Sequence, residues 1–420
     1  MASSKDRVTK VLISLALAAA AIGLGASAQF YQEALTDAFF AVALASVLIL
    51  HFRVRPSWAD VVAVAGVTSL LAAFDFGILN YQPRFMAWFS FLGLGSFLLM
   101  AIRTVWASGE ERKTLVFAWA PAMLFVLSEY FASTMLEWTA AAHPKSLDLY
   151  LFSFDASMHV PFSFAMGRLF AKWPALRTAA LIFYIALPIS ITVVYAGQLL
   201  RSRKRAFPAM LAFLITGPLG ILFYNIFPAS GPHYVFRSFP ADPIRWDLVP
   251  RLVLQGIAIK GPRNAMPSLH MAWTLLAWWY SRGLSWVERM VALAFLGFTV
   301  LATLGTGEHW FVDLVVAVPF ALMIEALCAY PVAWKDARRW SALLVGGLGT
   351  LLWFVVLWFG KQFFWASPVV SWGLCAATVG IVYFCETKLW AAQPENKGAA
   401  ARASVEVKGV RGNMVADRAI

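Results

Sequence analysis

The stretch "NAMPSLHMAW", residues 264–273, sets Pro267, Ser268 and His270 at the mouth of a run that is otherwise apolar enough to enter a membrane. A second histidine, His309, opens "GTGEHWFVDLVV" at 305–316, with Asp313 four residues further on. Residues at i and i+4 share a helix face, so the aspartate can accept the ring N–H, fix the tautomer and leave the other nitrogen more nucleophilic. His309 thus has the features of a nucleophile toward phosphorus, Asp313 of its orienter, and His270 of a general acid that protonates a leaving alkoxide. Lys260 and Arg263 are placed to clamp phosphate oxygens. Ser268 lies where the free N–H groups and the dipole of a helix start favour an anion. This chemistry needs no metal and no cofactor. A lone histidine at a helix end is usually a cap; two of them, with a spaced carboxylate and nearby cations, argue for a site.

The elements that must position these groups are membrane helices. Of 420 residues, 61% are hydrophobic and only 13% charged, far too apolar for a soluble globule of this size. Apolar windows of about 20 residues, enough to cross a bilayer, recur along the chain. They predict an all-α polytopic membrane protein of about twelve spans, near 10–28, 35–52, 58–79, 84–103, 114–137, 177–200, 206–228, 267–281, 287–305, 309–330, 341–360 and 365–386. The first 28 residues imitate a signal peptide but read better as an uncleaved anchor. Cys328, Cys375 and Cys385 have no paired or metal-type spacing, so no disulfide framework is implied.

The net charge of +12 raises the question of nucleic acid, but in such a chain it matters first which loops hold the cations. They fall at every second loop, at Arg53 and Arg55, at Arg103 to Lys113, in "RSRKR" at 201–205, at Arg282 and Arg289, and in "KDARR" at 335–339. Those loops and both termini are expected inside, and nucleic acid is not the partner. The histidines then face outward. The outward loop 229–266 breaks the pattern with Arg237, Arg245, Arg251, Lys260 and Arg263, which suggests an anionic ligand.

Four segments follow: an N-terminal block of about five spans (1–138), a catalytic core (139–332), two C-terminal spans (333–388), and a polar, basic tail (389–420) expected to be a disordered cytoplasmic segment. Within the core, residues 147–160 predict an amphipathic interfacial helix, with Asp148, Asp155 and His159 on one face and Leu147, Leu151, Phe154 and Met158 on the other. Its acidic face is either wet or a cradle for acceptor hydroxyls. Among the remaining histidines, His233 in "SGPHY" is near enough in sequence to be a substrate contact.

"PSLH" at 267–270 and the H-x-x-x-D of His309 and Asp313 resemble the motifs of the type 2 phosphatidic acid phosphatase superfamily. The inositol phosphorylceramide synthase branch is closer still, through "YNIFPASGP" at 224–232, leucine in place of the usual glycine of P-S-G-H, and an acidic amphipathic segment ahead of the core. The resemblance covers roughly residues 145–330. It implies a six-helix-type core and a phosphohistidine at His309, with Tyr224 and Pro228 of the shared motif as substrate contacts. Where the phosphatases carry Ser-Arg before the last histidine, this chain has Ala302 and Thr303, and Lys260 and Arg263 would substitute. The expected function is a lipid phosphotransferase that moves a phosphoryl or phosphoinositol-type group to a ceramide-like lipid or polyol hydroxyl. A lipid phosphate phosphatase and a non-enzymatic transporter or scaffold are the alternatives. The absence of any Asn-x-Ser/Thr fits a bacterial inner membrane, with the site on its outer face.

Overall fold

The computed structural model describes residues 4–25, 27, 38–80, 84–241 and 246–394. These residues are overwhelmingly helical. The only sheet among them is a two-stranded antiparallel ladder, Lys145–Ser146 on Ile257–Ala258. Among the described residues eight helices are long and apolar enough to cross a membrane, or nine if Pro174–Ile185 and Leu187–Arg201, bent by 50°, form one span. The other expected spans are also helices, but Ala38–Arg53 and Leu269–Tyr280 are short and Gly109–Tyr130 carries charges in its first turns. The tail expected from residue 389 begins as helix up to Ala392, and its residues 395–420 lie outside those described, as does Arg245.

Charge placement explains which helix ends come together. Arg53 pairs with Glu288, Arg203 with Glu110, and Arg103 with Asp60 and Glu111, so loops expected on the same side do share an end of the bundle. Arg282 and Glu386, 2.6 Å apart, join them beyond the last turn of Leu269–Tyr280. The two histidines stand at the other end, where Leu269–Tyr280 and Phe311–Cys328 begin.

That end is organised by acceptors for orphan helix N–H groups. The first turn of a helix leaves donors without intrahelical partners. Asp155, on the helix Asp148–Ser157, accepts from the backbone N–H of Phe311 (2.7 Å) and of Val312 (3.1 Å). Asp313 accepts from Trp310 N–H at 2.8 Å. Asp148 accepts from the Trp310 indole (2.7 Å), from the N–H groups of Ser230 (2.9 Å) and Gly231 (2.8 Å), and from the Ser146 hydroxyl. The acidic face of this helix is therefore neither wet nor a cradle for acceptors. Both carboxylates are buried against the start of Phe311–Cys328, because unpaired N–H groups there need them.

Gly231 completes this corner. It has φ +113°, and a Cβ there would lie 2.3 Å from the Glu308 carbonyl oxygen, so only glycine lets the "PASGP" turn lie on the His309 loop. The start of the last helix, Pro368–Ala392, and the turn before it hold the corner from outside. Trp365 donates to Ser153 (3.0 Å), Trp372 to the Met158 carbonyl (3.3 Å), and Ser157 and Ser371 share a hydrogen bond of 2.6 Å. One aromatic cluster, including Phe152, Phe154, Trp310, Phe227, Phe354 and Phe364, joins all these segments. A second apolar cluster runs without interruption from Phe40 and Phe91 to Trp273 and Phe320, so the N-terminal helices pack directly on those that begin at the two histidines.

Asp155→Ala should lower stability by roughly 2–6 kcal/mol, because two buried N–H groups are left unpaired at about 1–3 kcal/mol each. Asp155→Asn, which keeps one carbonyl acceptor, should lose less. Thermal unfolding in detergent reads this directly; equal midpoints for wild type and the alanine variant would contradict the anchoring role.

Candidate active site

His309 sits in the loop just before Phe311–Cys328, 3% exposed, held by its backbone on both sides. Its N–H donates to the Thr303 carbonyl at 3.1 Å, and its carbonyl accepts from Ser163 at 2.9 Å. The ring is oriented by a main-chain group rather than by the expected carboxylate. Nδ1 lies 2.9 Å from the Ala265 carbonyl and 3.5 Å from Asp313 Oδ2. A carbonyl only accepts, so Nδ1 carries the proton and Nε2 is left with its lone pair. Asp313 accepts from Trp310 N–H at the start of the helix and lies beside the ring, so it is not the sole orienter expected from the spacing.

Nε2 lies 3.2 Å from Ser268 Oγ, which can donate to it. Ser268 is also the N-cap of Leu269–Tyr280, accepting from Met271 N–H. Burial lowers the His309 pKa to about 4, and nearby Glu308, the Ala265 carbonyl and Asp148 only partly oppose the shift. At neutral pH the ring is therefore an uncharged base.

His270 reaches the same place from the facing helix. Its ring is stacked on Tyr184 at 3.9 Å between centroids, with Phe39 edge-on at 5.4 Å. Its Nε2 is buried and has no protein partner. Both histidines border a cavity of about 290 Å³, together with Asn264, whose Oδ1 is likewise unpartnered, and Tyr224. Most of the remaining lining is apolar.

The cations expected at the phosphate are elsewhere. Arg263 is 2% exposed and all five of its N–H donors are occupied, by the carbonyls of His143, Pro144, Ile259 and Gly261 and by Ser230 Oγ, at 2.8–3.1 Å. It ties loops together and has no donor left for a phosphate. Lys260 is exposed and does not border the cavity. His159 is exposed at φ +59°, near Trp365, and does not border the cavity. The buried Pro228 turns its carbonyl to Leu147 N–H at 2.8 Å and does not border the cavity. His233 lies beside the site loop, its Nδ1 3.5 Å from Glu308.

Four groups were not singled out in the sequence: Asn264, the Ala265 carbonyl, Tyr184 and Glu308, the last of which accepts from Tyr234 Oη at 3.3 Å. Three of them adjoin the histidine motifs, and proximity to "PSLH" and His309 was an available signal. Tyr184 is brought in by tertiary packing alone.

Residues 149–327 match the family model of the PAP2 superfamily. This stretch carries both histidines, Ser268 and Asp313, and supports the resemblance to type 2 phosphatidic acid phosphatases. The helices before residue 149 and after residue 327 lie outside the match. Searches of curated proteins and of solved structures find no match.

Two outcomes follow from the ring's surroundings. The acid limb of kcat/KM should fall near pH 4, where His309 gains its proton, well below the ordinary histidine value of 6.5; a limb near 6.5 would contradict the burial argument. Asp313→Asn should cost only about tenfold in kcat, against the ~10⁴-fold typical where a carboxylate alone holds the ring. His309→Ala should abolish turnover.

Proposed function

We propose that the protein is an integral membrane phosphotransferase acting on lipid phosphate esters, with a phosphohistidine formed at His309. The observation that carries this reading is the convergence of a neutral, oriented His309 Nε2 and the unpartnered His270 Nε2 on one largely apolar cavity. The superfamily match supports phosphatase or phosphotransferase chemistry on lipid phosphates.

In the proposed sequence His270 takes up a proton as the anionic substrate enters, the Nε2 lone pair of His309 attacks phosphorus, the P–O bond to the leaving group breaks, and His270 gives that proton to the departing oxygen. Ser268 Oγ is then free to turn to a phosphoryl oxygen, at a helix start whose N–H groups favour the anion. In the second half an acceptor hydroxyl attacks, its proton returns to His270, and the P–N bond breaks. With Arg263 and Lys260 turned elsewhere, anion binding rests on the helix start and the protonated acid. Transfer of a phosphoryl or phosphoinositol-type group to a lipid or polyol hydroxyl is our preferred reading, on the likeness of "YNIFPASGP" to the inositol phosphorylceramide synthase branch. Hydrolysis is the second reading, favoured by one observation: Asp148 and Asp155 are engaged with backbone N–H groups and offer no cradle to an acceptor.

The deciding experiment incubates purified protein with phospholipid labelled in its phosphate, with and without a ceramide-like or polyol acceptor. Transfer predicts a labelled acceptor product, and an acid-labile, base-stable label on the protein that His309→Ala removes. Label that ends only in free phosphate favours the phosphatase; no covalent label and full turnover in His309→Ala would sink both.

We place the chain in a bacterial inner membrane with this site on the outer face and both termini inside, on the alternation of cationic loops. The natural cysteines are all buried, which leaves a quiet background for labelling. An impermeant maleimide should modify Lys260→Cys in intact cells, and Lys335→Cys only after permeabilisation. The reverse pattern would invert the orientation.

A further inference from the structure

The cavity that ends at the two histidines is walled on one side by a segment that precedes the superfamily match. Leu127, Phe131, Ala132 and Met135 come from the junction of Gly109–Tyr130 with Ala132–Ala142. Across from them stand Gly217 and Ile221 of Arg203–Ile226. Leu127, Phe131 and Met135 are 42, 51 and 39% exposed, so this wall also faces outward between the two helices. Asn264 Oδ1 and His270 Nε2 are buried in its lining without partners, and most of the remaining lining is apolar.

We infer that this channel is the binding site for the hydrocarbon chain of the lipid phosphate, and that Leu127, Phe131, Ala132 and Met135 set the chain lengths accepted. The inference rests on the reading of the site given above. A lipid lying in the bilayer presents a phosphate and a chain in line, and the cavity presents the matching order: two histidines and an amide at its head, aliphatic and aromatic side chains behind. The chain slips in sideways between Leu127–Met135 and the Gly217–Ile221 face, without leaving the apolar phase. Gly217 keeps the passage wide. A Cβ at that position would meet only the Trp273 ring at 3.7 Å, so a larger side chain there grows into the channel rather than into a packed neighbour. Selectivity for the chain is thus shared between the segment that carries the chemistry and the helices that precede it.

The test uses the full protein in detergent and two readouts. A long-chain alkyl phosphate bearing a diazirine near the chain terminus should crosslink to residues 127–135 or 217–221 in wild type and equally in His309→Ala. It should lose that crosslink in Gly217→Leu and in Ala132→Phe. Crosslinks elsewhere, or crosslinks that both filling variants leave intact, would overturn the inference, whatever reaction the protein catalyses. The second readout compares turnover of dodecyl and butyl phosphate esters. The filling variants should lower the long-to-short ratio of kcat/KM by about tenfold or more, in the range by which pockets discriminate chain methylenes, while butyl turnover persists. An unchanged ratio with retained activity would sink the chain assignment and leave the reading of the histidines standing; crosslinking as expected without turnover of either ester would sink the reading of the reaction alone.

Discussion

The bonds from Asp155 to the N–H groups of Phe311 and Val312 are the constraint from which the rest of this end of the molecule follows. A helix that starts in a water-poor place must find acceptors for its first donors, and here they come from another helix. Once Asp155 fixes where Phe311–Cys328 begins, His309, two residues earlier, has little freedom. Asp148 removes what remains by holding the Trp310 indole and, with its other bonds, the turn at Ser230 and Gly231. Burial pushes both carboxyls up from their ordinary values, and the ring of N–H donors pulls against it, so each is tied to its donors on pain of a large desolvation cost. Neither carboxylate needs to touch a substrate to matter for the chemistry.

Arg263 shows the same economy with opposite sign. Its guanidinium lies inside a shell of carbonyl groups from residues 143–144 and 259–261, where a flat five-donor group satisfies several chain segments at once. A lysine could not occupy all of those acceptors in one plane. The result is a rigid seam between the loop before the Asp148 helix and the loop before Ser268, reinforced by the short ladder of Lys145–Ser146 and Ile257–Ala258. The Ala265 carbonyl that orients His309 sits on this seam, two residues from the arginine.

Much of this was legible in the sequence. Apolar periodicity and loop cations foretold the helices and which of their ends meet, because both depend on transfer energies that act residue by residue. The motif around Ser268 and His270, and the spacing of His309 and Asp313, foretold that two helix starts would face each other. What the sequence could not express was how each polar group is used. Arg263 looked like a phosphate clamp and Asp148 and Asp155 like an acceptor cradle, because composition near a site says nothing about whether a backbone group has already claimed the side chain. The Ala265 carbonyl was invisible for a related reason, since every residue has one. Tyr184 meets His270 only through the packing of separate helices, and no local pattern encodes that meeting.

The contacts of Trp365, Ser371 and Trp372 with the Asp148 helix bear on how the protein is made. These residues leave the ribosome after the rest of that corner has been made. The helix that pins the start of Phe311–Cys328 is braced by them, so the corner around His309 gains its full set of contacts only once the last span has been synthesised.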